Sequence, residues 1–357
     1  MSGGVGAGAG GDAGAGVGAG ASGDASGVMG AGAGGVASGV MGAGAGGVAS
    51  GVPPRVRVIS DNDYSGDPDG LVQLAQHALS ESVELALVVG SRLRPGDPFD
   101  PSNRTADNAA TAAREVLAHC GRPDVPVVAG SNTADGSVVS EAARAIVAEA
   151  LRDDPRPLYL CAGAGLTEVA AALRLEPSIA SRMTLVWIGG PEHPGLAVPP
   201  PGAMPIEYNL LIDVPAAAEV FASALPIEQF PRDAYRQPLA SVAELRVRMR
   251  TAGELGRHLF DALDGVFRMG VAHGLSFGET YALGDSPLVL ATALLSAFEP
   301  DASSSRTARV PRPSITPDGQ YGPRAGDGPD LRVYTHVDTR LLLEDLYAKL
   351  ALRAADA

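Results

Sequence analysis

Between residues 55 and 188 the chain alternates short β-rich runs with segments of helical spacing, and that alternation leaves few folds open. Residues 55–59, 83–89, 125–128, 158–161 and 184–188 read as strands; 71–79, 106–119, 138–151 and 167–173 read as helices. Most of the strands are continuous apolar runs, as expected where both faces of a sheet are covered. The pattern predicts an α/β fold: an open, mostly parallel, Rossmann-like sheet with helices on both faces. In such sheets ligands bind beyond the carboxyl ends of the strands. The second half is expected to be more helical, with helices over 216–225, 242–271, 287–298 and 340–350. Residues 299–330, rich in Pro, Ser, Gly and Arg, read as an exposed loop, and 331–337 as a late strand. Residues 53–357 are expected to form one domain.

Residues 1–52 differ in kind. A twelve-residue unit, Ala-Ser-Gly-Val-Met-Gly-Ala-Gly-Ala-Gly-Gly-Val, begins at Ala25, repeats at Ala37 and starts again at Ala49. Glycine at this density is costly to order, and no large side chains offset the cost, so a disordered Gly/Ala-rich leader is expected. The formal net charge of -14 argues against a nucleic-acid partner, which would call for a basic patch. No run of about 18 apolar residues suggests a membrane span, and the start lacks the positive charge of a secretory signal. Cys120 and Cys161, the two cysteines, read as buried thiols of a cytoplasmic protein.

The chemistry is concentrated after the first strand, where Asp61, Asp63, Asp67 and Asp69 fall within nine positions. Carboxylates this close repel one another unless a cation lies between them. Oxygen ligands on a loop select Ca²⁺ or Mg²⁺, and no His/Cys cluster accompanies them to suggest zinc. A solvated Asp/Gly/Pro turn is the plain alternative. An EF-hand is disfavoured, because Val72 stands where its bidentate Glu belongs.

This strand, Asp-rich loop and helix resemble the nucleoside hydrolase signature Asp-x-Asp-x-Gly-x-Asp-Asp. Further pieces follow in order: Asn108 at a helix start, Gly163-Ala-Gly-Leu-Thr-Glu-Val-Ala170, Val186-Trp-Ile-Gly-Gly190, Glu207-Tyr-Asn209 with Asp213, and Asp285-Ser-Pro287. The resemblance implies calcium-dependent hydrolysis of the N-glycosidic bond of a ribonucleoside. It implies Asp63 as metal ligand and general base for water, and Asp69, Asp285 and the Gly163 carbonyl as further metal ligands. Asp67, Glu207 and Asn209 would contact the sugar. A small-molecule nucleoside partner and a homo-oligomer are implied in the same way.

Two departures stand out. An extra residue and Pro68 separate Asp67 from Asp69, so their roles are exchangeable and Asp61 is a candidate for the site. Gly284 stands where many members carry the His that protonates the departing base. Tyr281, His273 and Glu279 are the candidate replacements, although core packing for Tyr281 and a helix-end position for His273 are the simpler readings. The lost His also motivates an alternative, a divergent relative acting on or binding another ribosylated metabolite. A non-catalytic, calcium-stabilised binding protein is the third reading. Trp187 reads as core; no P-loop and no Gly-x-Ser-x-Gly elbow is present.

Overall fold

The computed structural model describes residues 53–134, 139–296, 304–324 and 328–357. The expectation for the Gly/Ala-rich leader lies outside the described residues.

An eight-stranded sheet organises the chain, in the order β3-β2-β1-β4-β5-β6-β12-β9. Its strands are β1 (Val56–Asn62), β2 (Val83–Gly90), β3 (Val127–Ala129), β4 (Leu158–Ala162), β5 (Thr184–Ile188), β6 (Ile227–Phe230), β9 (Arg306–Val310) and β12 (Leu331–His336). All neighbours are parallel except β9, which pairs antiparallel with β12. The expected parallel sheet is therefore present, with the late strand as β12, and it is extended by β6 and β9, which the sequence did not announce.

Helices α1 (Asp69–Ala78), α2 (Thr105–His119), α3 (Glu141–Leu151) and α4 (Thr167–Leu175) alternate with the first strands. The short α5 (Tyr208–Ile212), α6 (Val214–Ala222) and α7 (Arg232–Tyr235) follow. A hairpin of β7 (Leu239–Ser241) with β8 (Thr280–Ala282) brackets α8 (Val242–Glu244) and α9 (Gly253–Ala272). After α10 (Pro287–Leu290), β10 (Pro313–Ile315) pairs with β11 (Tyr321–Arg324), and α11 (Thr339–Ala355) closes the chain.

Strand periodicity divides the core in two. Val56 and Val58 point to the side packed with residues of α1, α2, α9 and α11, whereas Ile59 points to the side packed with α3, α4 and α6. β2 and β3 lie on one flank of β1 while β4 returns to the other. The carboxyl ends of β1 and β4 thus form a switch point, where a crevice opens between diverging loops.

Three expectations need correction. The helix expected over 242–271 is broken: Leu245–Met249 forms a π-helical turn, and α9 restarts at Gly253, whose φ of 66° suits glycine. The apolar run from Pro287 keeps helical geometry only to Leu290; its later carbonyls, on Leu295 and Ser296, accept from the Arg55 guanidinium. The expected loop over 299–330 contains β9, β10 and β11. Arg312 is fully buried there and donates to the carbonyls of Ser223, Leu225 and Pro329, a use of arginine that composition conceals. Trp187 is core as expected, its indole N–H donating to the Ala164 carbonyl, and both cysteines are buried free thiols.

A buried polar chain backs the end of β1. Tyr64 bonds Ser60, Ser60 bonds Gln73, Gln73 bonds His77, and the His77 Nε2 lies 2.8 Å from Thr292 Oγ1. Burial pulls the His77 pKa down to about 3, with Lys349 adding repulsion. An unfolded His titrates near roughly 6.5. Between these values the unfolded chain binds the extra proton, so this contribution to stability falls as pH drops below about 6.5. His77→Gln should flatten that limb of the stability–pH curve by up to about 1.4 kcal/mol per pH unit, measured by urea unfolding. Parallel curves for the two proteins would contradict the assignment.

Candidate active site

The three loops leaving β1, β4 and β5 meet around a cavity of about 250 Å³. That is near the lower end of small-molecule sites, roughly 300 Å³. Asp63, Asp67, Asp69, Asp285, Gly163, Glu207 and Asn209 all line it, together with Phe99, Ile188, Tyr208, Tyr235, Arg236, Ala282 and Gly284. The seven residues that the resemblance assigns to metal, water and sugar are therefore at one cavity.

The turn after β1 is closed by the Gly66 amide donating to the Asp63 carbonyl at 2.7 Å. It delivers Asp69 to the first turn of α1 and leaves Asp67 exposed at the rim. Asp285 arrives from 216 positions downstream, and its backbone amide donates to Asp69 Oδ2 at 3.1 Å. Asn62 makes the second tie. Its Nδ2 donates to Asp285 Oδ2 at 2.9 Å, while its Oδ1 accepts from the Asp63 amide at 2.8 Å. Sequence reading passed over Asn62, yet one amide side chain orients both ends of the acidic group.

Asp63, Asp69 and Asp285 are buried. Burial raises all three pKa values above the ordinary carboxylate range; Asp285 and Asp67 add repulsion at Asp63 and Asp69, while the Asn62 bond partly opposes the rise at Asp285. No Lys or Arg among the described residues forms an ion pair with them. Oxygen-only donors, buried and mutually repelling, fit a hard divalent cation. Among the described residues, a group of three His, Asp, Glu or Cys side chains with ligand atoms within 4.8 Å of one another lies elsewhere, at Glu115, His119 and His258.

Asp61 takes no part in the cavity lining. Strand alternation turns it to the face opposite Asn62, where Ser91 donates to Oδ1 and Oδ2 is buried without a partner. Burial pushes its pKa up to about 8.

Glu207 and Asn209 are heavily engaged. Glu207 caps α5: Oε1 accepts from the Asn209 amide and Tyr235 Oη, and Oε2 from the amides of Gly190 and Leu210. Its four acceptor positions are thereby filled by protein donors. Asn209 Nδ2 donates to the carbonyls of Ile188 and Gly163, leaving Oδ1 as its open acceptor. Asp213 caps α6 and pairs with Arg92, and Asn108 holds Asp100 and Ser102, so both serve the scaffold.

The three candidate replacements for the absent His do not line the cavity. Tyr281 is buried and donates to Asp67 Oδ1 at 2.5 Å; His273 is exposed at the end of α9 and bonds the Met269 carbonyl; Glu279 is exposed. A Cβ at Gly284 would stand 3.2 Å from Asp69 Oδ2 and 3.4 Å from Tyr235 Cδ2, so the position is tightly flanked. The cavity's aromatic and cationic groups are instead Tyr208, which lies within the Glu207-Tyr-Asn209 stretch, and Phe99, Tyr235 and Arg236, which no sequence signal marked.

The model of the inosine-uridine preferring nucleoside hydrolase family matches residues 99–342. The match takes in Gly163, Glu207, Asn209 and Asp285 but begins after the acidic loop. An inosine-uridine preferring nucleoside hydrolase of Leishmania major is 36% identical over 101 residues, 28% of this chain and 30% of that protein. An uncharacterized protein of Schizosaccharomyces pombe is 26% identical over 208 residues, 51% of this chain and 63% of that one. The chain thus spans less than two thirds of either relative. Among solved structures, a purine-preferring ribonucleoside hydrolase from Gardnerella vaginalis superposes with a TM-score of 0.63 at 19% identity, covering 84% of this chain and all of that one. A plant nucleoside hydrolase gives 0.61 at 16% identity, covering 84% and 99%. At these identities the likeness shows a shared fold.

Asn62→Ala should lower the unfolding free energy by about 1–3 kcal/mol, because it strips a donor from the buried Asp285 and an acceptor from the Asp63 amide. Chemical denaturation of the two proteins checks this, and a change below about 0.5 kcal/mol would remove Asn62 as the tie.

Proposed function

The chain belongs to the inosine-uridine preferring nucleoside hydrolase family, and from that premise we propose that it hydrolyses the N-glycosidic bond of a ribonucleoside with a calcium ion at the Asp63–Asp69–Asp285 group. The observation that carries the reading is the meeting of Asp285 with the loop after β1, through the Asp69 carboxylate and the Asn62 amide.

Asp63, Asp69, Asp285 and the Gly163 carbonyl are the residues that would hold the ion. Bound there, calcium supplies a Lewis acid that lowers the pKa of water and orients a sugar diol. Asp63, with no Lys or Arg among the described residues paired to it, removes the proton from the attacking water. Asp67 at the rim accepts from a ribose hydroxyl, its orientation fixed by Tyr281. Asn209 offers Oδ1 to the far side of the sugar, and Glu207 positions it through the α5 cap. The carboxylate ring stabilises positive charge developing on the sugar. We assign the departing base to the side of the cavity formed by Phe99, Tyr208, Tyr235 and Arg236. A cytoplasmic homo-oligomer completes the proposal; no described helix is long and apolar enough to cross a membrane.

A second reading follows from Gly284 and from the two cavity tyrosines, which already donate to Asp97 and Glu207. With no ready acid for the leaving group, the chain would act on or bind another ribosylated metabolite. Release of ribose from a nucleoside panel separates the readings. The proposed activity should vanish with chelator and return with calcium, and Asp63→Asn should lower kcat by about 10²–10⁴-fold while the chain stays folded. Asp63→Asn turnover equal to wild type would refute the mechanism. Absent turnover with ribose still raising Tm in calcium would favour the second reading.

A further inference from the structure

A second cluster with ligand chemistry lies away from the cavity. Glu115 and His119 stand four positions apart on α2 and so share a face, and His258 of α9 packs against them. One ligand atom from each lies within 4.8 Å of the others. The His119 and His258 ring centroids are 4.8 Å apart with the planes tilted by 36°, and His258 Nδ1 is 3.8 Å from Glu115 Oε1. That last distance is too long for a hydrogen bond. His119 is the last residue of α2, and its carbonyl already accepts from Arg353 Nε at 3.1 Å, so the case rests on the three side chains. α2 runs back from the carboxyl end of β2, so this cluster sits at the end of the sheet opposite the catalytic crevice.

We propose that Glu115, His119 and His258 form a surface site for a borderline divalent cation, of which zinc is the representative, clipping the end of α2 to α9. Two imidazoles and one carboxylate are nitrogen-rich donors that select such a metal over calcium. In tetrahedral coordination at about 2.0–2.1 Å the ligand atoms stand roughly 3.4 Å apart, so the present spacing closes by small rotations of partly exposed side chains. Water completes the shell, since three protein ligands leave a position open. The site joins a helix covering β2 to the long helix between β7 and β8, so metal bound there stabilises the chain without touching the crevice. The proposal stands independently of the hydrolase reading.

The test uses the full chain, freed of metal and then saturated with calcium so that the aspartate group does not compete. Zinc titrated by calorimetry should bind at one ion per chain and raise Tm; cobalt in its place should give the visible absorption of a tetrahedral centre. His119→Ala and His258→Ala should each abolish both signals, Glu115→Gln should weaken zinc by at least about tenfold, and Asp63→Asn should leave it unchanged. Nucleoside turnover should be the same in the histidine variants as in the parent. No zinc uptake, or uptake undiminished in the two histidine variants, would overturn the site.

Discussion

Burial of like charges is the constraint around which the crevice is arranged. Asp63, Asp69 and Asp285 are withdrawn from water, and no Lys or Arg among the described residues pairs with them. A fold keeps such a group only if neighbours orient the carboxylates and something external offsets the repulsion. The orientation is visible: the Asn62 amide holds Asp285 and the Asp63 backbone, and the Asp285 amide holds Asp69. A proton or a divalent ion is the remaining means of neutralisation, and the oxygen-only donor set suits the ion.

The sheet explains why residues so distant in sequence converge. The loops leaving β1 and β4 part beyond the paired Asp61 and Ala162, and residues of both line a common space. The loop after β5 adds Glu207, whose carboxylate is consumed in starting α5 and thereby fixes Asn209. Tyr281 from the β7–β8 hairpin reaches across to Asp67, tying the helical half of the chain to the acidic loop. Asp69, Glu207 and Asn209 thus rest at helix starts, where their side chains or neighbours are held by hydrogen bonds.

The parallel sheet and the acidic loop were legible because both are local signals: apolar runs in alternation, and aspartates crowded after a strand. Asp285, Glu207 and Asn209 were placed only through resemblance, since nothing local distinguishes Asp285 from other helix-start aspartates. Asn62 and Tyr235 escaped notice because their importance lies in partners that folding brings from afar. Strands β9, β10 and β11 escaped for another reason, whereas β12 falls where a late strand was expected. A Pro- and Arg-rich segment looks solvated until Arg312 is found buried against three carbonyls. The break before α9 was hidden because an apolar period near 3.6 does not distinguish a π-helical turn from continuous helix.

A crystal structure of the chain grown in calcium decides whether the carboxylates hold a metal. One ion should lie with Asp63, Asp69 and Asp285 oxygens at about 2.3–2.6 Å, and with the Gly163 carbonyl among its ligands. An ion seated elsewhere, or these three carboxylates turned away from one another with no ion between them, would contradict that placement.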